Sequence, residues 1–187
     1  MQKTEDPRVV RTRHLIEKAF EELLEEKGFQ TLRVQDITER AGVNRATFYA
    51  HFTDKYDLLN YTVRQRFRAE IEKRTLNACH FSEDNLRALI ITVCEFINEA
   101  HGHCKMANEQ FESLIETQVR GQVQLLLENW LEQTGTQAPR AIAATATSWA
   151  IYGLAQQWSH NKSHLPAEAF ANQVLPLVLQ NLGIARQ

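Results

Sequence analysis

The sequence predicts an all-α fold, and three observations carry that prediction. Glycine and proline, which interrupt helices, number only 7 and 4 among 187 residues. The strong helix formers leucine, alanine, glutamate, glutamine and arginine are plentiful along the whole chain. Apolar residues recur every three or four positions in successive windows, which lays a stripe along one side of a helix. The chain is 43% hydrophobic. At this size folding removes roughly 70% of the unfolded surface, so a core forms without staples. One or two domains are expected, and no internal repeat or low-complexity tract is present.

The first helical pattern runs from about Pro7 to Lys27, with Leu15, Ile16, Ala19, Phe20, Leu23 and Leu24 on one stripe. Gly28 supplies its expected left-handed stop. A short helix over Val34–Ala41, a turn at Gly42-Val43 and a third helix from Asn44 to about His51 follow. Thr53 is expected to cap the fourth helix, its hydroxyl accepting from the free N–H groups of a helix beginning Asp54-Lys55-Tyr56. That helix carries Leu58, Leu59, Val63 and Phe67 towards Arg74. Past a break over 77–81, Ser82 caps a helix whose apolar positions, Leu86 to Ile97, continue to about Ala100. A break at His101-Gly102-His103 precedes helical segments from about Cys104 to Gln133. Pro139 suits the first turn of a helix through Trp149, Tyr152 and Trp158, and Pro166 opens a last one ending at Gly183. Both final helices are apolar over more than one stripe, a surface that a monomer does not easily cover.

A formal net charge of −2 provides no global positive field, so any nucleic-acid contact must come from a local cluster. The opening MQKTEDPRVVRTRH lacks the apolar run of a signal peptide, and no apolar stretch is long enough to span a bilayer. A cytoplasmic chain is expected. Cys79, Cys94 and Cys104 are an odd number at irregular spacing, which fits free, inert thiols in a reducing compartment. His101, His103 and Cys104, with Cys94 earlier, are metal-ligand types, but their spacing matches no established paired pattern, so no metal and no cofactor is expected. Enzyme chemistry finds no Gly-rich phosphate loop, G-x-S-x-G elbow or HExxH.

Residues 34–52 read VQDITERAGVNRATFYAHF. Ile37, Ala41, Val43 and Phe48 lie where two short helices must touch to cross steeply. Gly42 stands where the chain reverses through a left-handed backbone, and Asn44 caps the second helix. With Phe48 and Phe52 turned inward, Arg45, Ala46, Thr47, Tyr49 and His51 remain as the outward face. That set suits a major groove: Arg45 can bond guanine, Ala46 and the Thr47 methyl can touch thymine, and Tyr49 and His51 can reach phosphates. Lys55, a cation in the first turn of a helix, opposes the helix dipole, a penalty that a phosphate bound there would reverse. Arg8, Arg11 and Arg13 are either a basic arm or a solvated segment.

The run GFQTLRVQDITERAGVNRATFYAHFTDKYDLL resembles the N-terminal domain of TetR-like (tetracycline-repressor-like) transcriptional regulators. The likeness rests on Ile37, Ala41-Gly42-Val43, Thr47-Phe48-Tyr49, His51-Phe52, and Lys55 followed by Leu58-Leu59, and it covers about the first third of the chain. The resemblance implies a helix-turn-helix DNA-binding domain at 1–53 and a helical effector-binding and dimerisation domain at 54–187, with 54–74 as connecting helix. It implies a homodimer on a near-palindromic operator, with Thr47, Tyr49, His51 and Lys55 near double-stranded DNA. Self-association then falls to the helices at about 139–160 and 166–182. A small-molecule effector pocket is implied in the C-terminal domain, with Phe96, Phe111, Trp130, Trp149 and Tyr152 as candidate lining residues. Repression is the family's commoner sign. One departure is visible: Arg33 stands where the family usually places Ser or Thr to cap the second helix, so the cap is weaker or Arg33 grips a phosphate. The competing reading is a helical protein-interaction module that keeps the helix-turn-helix as scaffold.

Overall fold

A computed structural model describes residues 6–74, 80–103, 109–134, 136–161 and 165–184. The described residues form eight helices: α1 (Pro7–Thr31), α2 (Val34–Ala41), α3 (Arg45–His51), α4 (Lys55–Arg74), α5 (Glu83–His103), α6 (Glu109–Thr134), α7 (Arg140–His160) and α8 (Ala167–Leu182). The chain divides into two compact units, one of Met1–Thr62 with His103–Glu112 and the other of Val63–Gly102 with Ser113–Gln187. Helix α4 runs from the first into the second.

The first unit is built on α1. Ile16, Phe20 and Leu23 bury themselves with Ile37 of α2, Phe48 of α3, and Leu58 and Leu59 of α4. Each such side chain contributes about 1.5–3 kcal/mol through the water it releases. Asp6 caps α1, its carboxylate accepting from the Arg8 N–H at 2.8 Å. Gly28 does not end α1 as expected. Its backbone (φ 72°, ψ 158°) makes a kink, in a region essentially reserved for glycine, and one further turn follows before Leu32 becomes extended. The kink directs the buried Phe29 ring onto Phe20 at 6.3 Å, Tyr56 at 5.1 Å and Phe111 at 5.6 Å. The chosen glycine is right and its conformation differs, because a core site for Phe29 rewards resuming the helix.

In the second unit, α5 buries Leu86, Leu89, Ile90, Val93 and Ile97, and α6 buries Val119, Val123, Leu127 and Trp130. Helix α7 packs on α8, where Trp158 stacks over Phe170 at 6.1 Å and donates its indole N–H to the Leu165 carbonyl at 2.8 Å. Ser82 caps α5 as expected, accepting from the Asn85 N–H at 3.0 Å. The break expected at His101-Gly102-His103 does not form, and α5 runs through to His103. Gly102 falls in the last turn of α5, where a glycine costs no more than the roughly 1 kcal/mol against alanine that it costs in a helix interior, little beside the buried stripe of a 21-residue helix. Pro139 and Pro166 stand as the residues just before α7 and α8, one position earlier than the first turn, and Gly183 closes α8 in the left-handed conformation. Among the described residues no helix is long and apolar enough to cross a membrane.

Candidate nucleic-acid interface

The turn between α2 and α3 is fixed by backbone chemistry. Gly42 adopts φ 67°, ψ 32°, so its N–H reaches the Glu39 carbonyl at 3.3 Å while the Val43 N–H reaches that of Thr38 at 3.0 Å. These two bonds satisfy carbonyls that the end of α2 would otherwise leave open. Asn44 then starts α3, its Oδ1 accepting from both the backbone N–H (2.8 Å) and the hydroxyl (3.0 Å) of Thr47. Phe48 and Phe52 are buried as expected. The opposite side of α3 presents Arg45, Ala46 and Tyr49 to solvent, Tyr49 at 56% exposure with its ring edge held on Phe48 at 5.5 Å. Thr47 and His51 are half-buried, and the Thr47 hydroxyl is committed to the cap. The Arg45 guanidinium donates to Gln35 Oε1 at 3.3 Å, and Gln35 donates in turn to Glu39 at 2.9 Å. Gln35, in the first turn of α2, thus steadies the exposed arginine, a role that sequence reasoning missed because the partner lies ten residues away.

Helix α2 is clamped to α1 by ion pairs. Arg40 bonds Glu26 at 2.8 and 2.9 Å and Glu22 at 3.3 Å, and Lys27 meets Asp36 at 3.1 Å. The Arg40 hydrogen bond holds the Glu26 carboxyl below its ordinary range. The bond from the Arg33 N–H, then that from Lys27, does the same for Asp36. Arg33 precedes α2 with no side-chain cap, yet Asp36 Oδ2 accepts the Arg33 N–H at 2.9 Å. That bond is the reciprocal half of a capping box and satisfies the Arg33 N–H, while the first-turn N–H groups of α2 gain no side-chain acceptor from Arg33, whose side chain stays exposed. Arg8, Arg11 and Arg13 lie on α1 itself; Arg8 and Arg11 are exposed, and the Arg13 guanidinium sits 5.5 Å over the Tyr61 ring.

The start of α4 corrects one expectation. Asp54, not Thr53, is the capping acceptor: its Oδ1 takes the N–H groups of Tyr56 and Asp57, each at 2.8 Å. Thr53 instead donates, its N–H and hydroxyl reaching Asp57 Oδ2 at 2.9 and 3.3 Å. An ionised carboxylate is the stronger acceptor beside a positive helix end, which favours the aspartate register. Lys55 has a scaffold role that the sequence did not show. Its ammonium donates to the carbonyls of Phe29 (3.0 Å), Leu32 (3.0 Å) and Gln30 (3.4 Å), and lies 4.6 Å from the Phe29 ring centroid. Burial lowers its pKa, but only the protonated form has three donors for three carbonyls.

Of the aromatic residues expected in an effector pocket, Phe111 falls in the first unit and Phe96, Trp130, Trp149 and Tyr152 in the second. Phe111 packs on Phe29 in the first unit. Phe96 is buried edge-on to Phe67, Trp130 is fully buried edge-on to Phe81, and Tyr152 is buried. Trp149 is 49% exposed, with the Arg120 guanidinium 3.9 Å above its ring. A separate cleft of about 300 Å³ lies between α4 and α6, lined by Arg68, Ile71, Gln122, Leu125 and Leu126 among others. Gln122 Nε2 is buried there without a hydrogen-bond partner. Cys94 is buried, which pushes its thiol up to about 12. Cys79, Cys104 and the side chains of His101 and His103 lie outside the described residues.

A glycine-turned pair of short helices, a capped second helix with a polar outer face, and helices throughout the described residues define a class: helix-turn-helix proteins of all-α build. Residues 16–62 match the bacterial regulatory proteins of the tetR family. An uncharacterized HTH-type transcriptional regulator, YxbF, of Bacillus subtilis is 29% identical over an alignment of 184 positions that covers 91% of this chain and 45% of that protein. The chain therefore spans less than half the length of this curated relative. A TetR transcriptional regulator from Streptococcus agalactiae superposes with a TM-score of 0.59 at 21% identity, covering 93% of this chain and 97% of that one. The transcriptional regulator FadR from Bacillus subtilis, solved in complex with stearoyl-CoA, gives 0.57 at 19% identity over 90% and 98% of the two chains. The likeness to the tetR family of bacterial regulatory proteins thus rests on residues 16–62, and the solved structures share the fold of the chain as a whole.

Proposed function

We propose that the chain is a homodimeric repressor that reads a near-palindromic operator and leaves it when a small molecule binds. The observation that carries this reading is the outer face of α3. Burial of Phe48 and Phe52 and the Asn44 cap leave Arg45, Ala46, Thr47, Tyr49 and His51 on a short helix of the size that enters a major groove. Arg45 reads a guanine, Ala46 and Thr47 contact thymine methyls, and Tyr49, His51, Asn44 and Arg33 position the backbone. Residues 1–53 form the reading head and 54–187 the regulatory domain, with α4 as the covalent path between them.

Dimerisation falls to α7 and α8. Ile142, Ala146, Trp149 and Gly153 follow at helical spacing on α7 and are all exposed, Ile142 at 66%, and α8 exposes Leu177 at 58%. Side chains of this kind standing in water are characteristic of an interface. Two heads held by one dimer enter successive major grooves about one turn of DNA apart. The effector is apolar with a polar end, in keeping with the Leu125, Leu126 and Ile71 walls and the Arg68 and Gln122 groups of the α4–α6 cleft. It shifts the operator affinity by about 1–3 kcal/mol, the usual size of such coupling. The protein acts by binding, with no chemistry of its own.

Titration of the protein against its own upstream DNA and against random DNA at two salt concentrations tests the reading. Preference for the upstream fragment is expected. Arg45→Ala should lower that preference by about 1–3 kcal/mol at one base pair. Equal affinity for both DNAs would leave α3 as scaffold.

A further inference from the structure

We propose that Lys55 serves DNA reading as a positioning residue, tying the start of α4 to the end of α1, and not as a phosphate ligand. The inference rests on the operator-binding reading above and deepens it. Two observations at the same place carry it. The first is the occupancy of the ammonium: three N–H donors meet three carbonyls, at 3.0, 3.0 and 3.4 Å, on residues 23 to 26 positions earlier. The second is the occupancy of the helix end. Asp54 and Asp57 fill the start of α4, taking the N–H groups of Tyr56 and Asp57 and of Thr53. An incoming phosphate would meet two carboxylates there instead of open donors.

The arrangement resolves the electrostatic anomaly of a cation in a first turn. Lys55 stands at the positive end of α4, but its charge is delivered to the negative end of α1, where the carbonyls after the Gly28 kink lack helical partners. The Phe29 ring face adds a favourable quadrupole contact at 4.6 Å, with Tyr56 at 5.7 Å. Phe29 and Tyr56 are themselves edge to face at 5.1 Å. The lysine thus closes a ring of contacts running from α1 through Phe29 to Tyr56 and back into α4. Helices α2 and α3 are the chain between those two anchors, so the anchor separation sets where α3 stands.

Lys55→Met and Lys55→Arg, with the wild type, test this on operator DNA. Active fractions come from stoichiometric titration, so that misfolded protein does not count as weak binding. Wild-type binding decides the underlying reading by itself: no operator preference there would sink the proposed function before Lys55 is in question. Given wild-type binding, both variants should lose operator affinity at least fivefold, keep the wild-type slope of log K against log salt, and melt at lower temperature. Arginine fails to rescue because a planar fork cannot cap three converging carbonyls as a compact ammonium does. A phosphate ligand predicts otherwise: Lys55→Met flattens the slope by about 0.9 unit, and Lys55→Arg binds as the wild type. Either of those results, or unchanged affinity in Lys55→Met, overturns the proposal. Should Lys55→Met not fold, the Lys55→Arg titration alone still decides.

Discussion

Asn44 holds two duties that one pair of substitutions separates. Its Oδ1 accepts two bonds from Thr47 at 2.8 and 3.0 Å, and the side chain stands exposed at the start of the proposed reading helix. With seven residues, α3 is far below the roughly 12–15 that an isolated helix needs. It persists through this cap and the burial of Phe48. Asn44→Ala removes the acceptor, at about 1 kcal/mol, within a range of about 0.5–2. For a chain of this size that corresponds to a fall of about 2–4 °C in melting temperature. Asn44→Asp keeps the acceptor, and its charge contributes about 0.3–1 kcal/mol beside the helix dipole, so the melting temperature holds or rises. On DNA the added charge acts in the opposite sense. Close approach to a phosphate costs about 1 kcal/mol in water, and two phosphates bring a loss of about thirtyfold at low salt that shrinks as salt is added. Thermal melting and fluorescence anisotropy on operator DNA measure the two effects. Wild-type DNA affinity of the Asn44→Asp protein at low salt would show that this end of α3 does not approach a duplex. Wild-type melting of the Asn44→Ala protein would refute the capping argument.

Gly42→Ala should cost about 1–2 kcal/mol in chemical denaturation, all of it backbone strain, since no atom lies within 4 Å of the added Cβ at φ 67°; a neutral result would contradict the left-handed turn. Ile142→Glu combined with Leu177→Glu should convert a dimer to monomer in sedimentation, and a dimer that survives both changes would move the interface elsewhere. In a Cys79→Ser, Cys104→Ser background, Cys94 should react with a thiol reagent at pH 8 only as fast as the protein unfolds, because burial places its pKa at about 12; immediate reaction would show an open site. Glu26 and Asp36 have folded pKa values below their unfolded ones, so their support is present above the ordinary carboxylate range. It disappears as pH falls through the folded values, and from roughly pH 5 downward Glu26→Gln with Asp36→Asn should flatten the acid loss of stability. An acid limb identical to the wild type's would show that the α1–α2 ion pairs contribute nothing.

The helix-turn-helix was legible because its determinants are neighbours in sequence. Asn44 meets Thr47 three residues on, Gly42 closes a turn with Glu39 and Thr38, and Phe48 and Phe52 share one side of a turn of helix. Where two local solutions compete, the reading slipped by one position: Thr53 and Asp54 are both capping types, and the carboxylate won. The pocket residues were not legible, because helical spacing shows only that an aromatic faces inward. It does not distinguish Trp130 in a filled core from Trp149 half in water under Arg120.

From the sequence alone came the all-helical build, the reversing glycine, the cap and the polar outer set of the third helix, since each depends on contacts within about one turn. Tertiary structure decided what Lys55 does, how α1 continues past Gly28, and how Gln35 steadies Arg45. The Arg45 and Lys55 contacts turn on partners 10 to 26 residues away along the chain and the Phe29 packing on Tyr56 and Phe111, farther still, and which carbonyl or ring arrives at a given group is settled only when the helices pack.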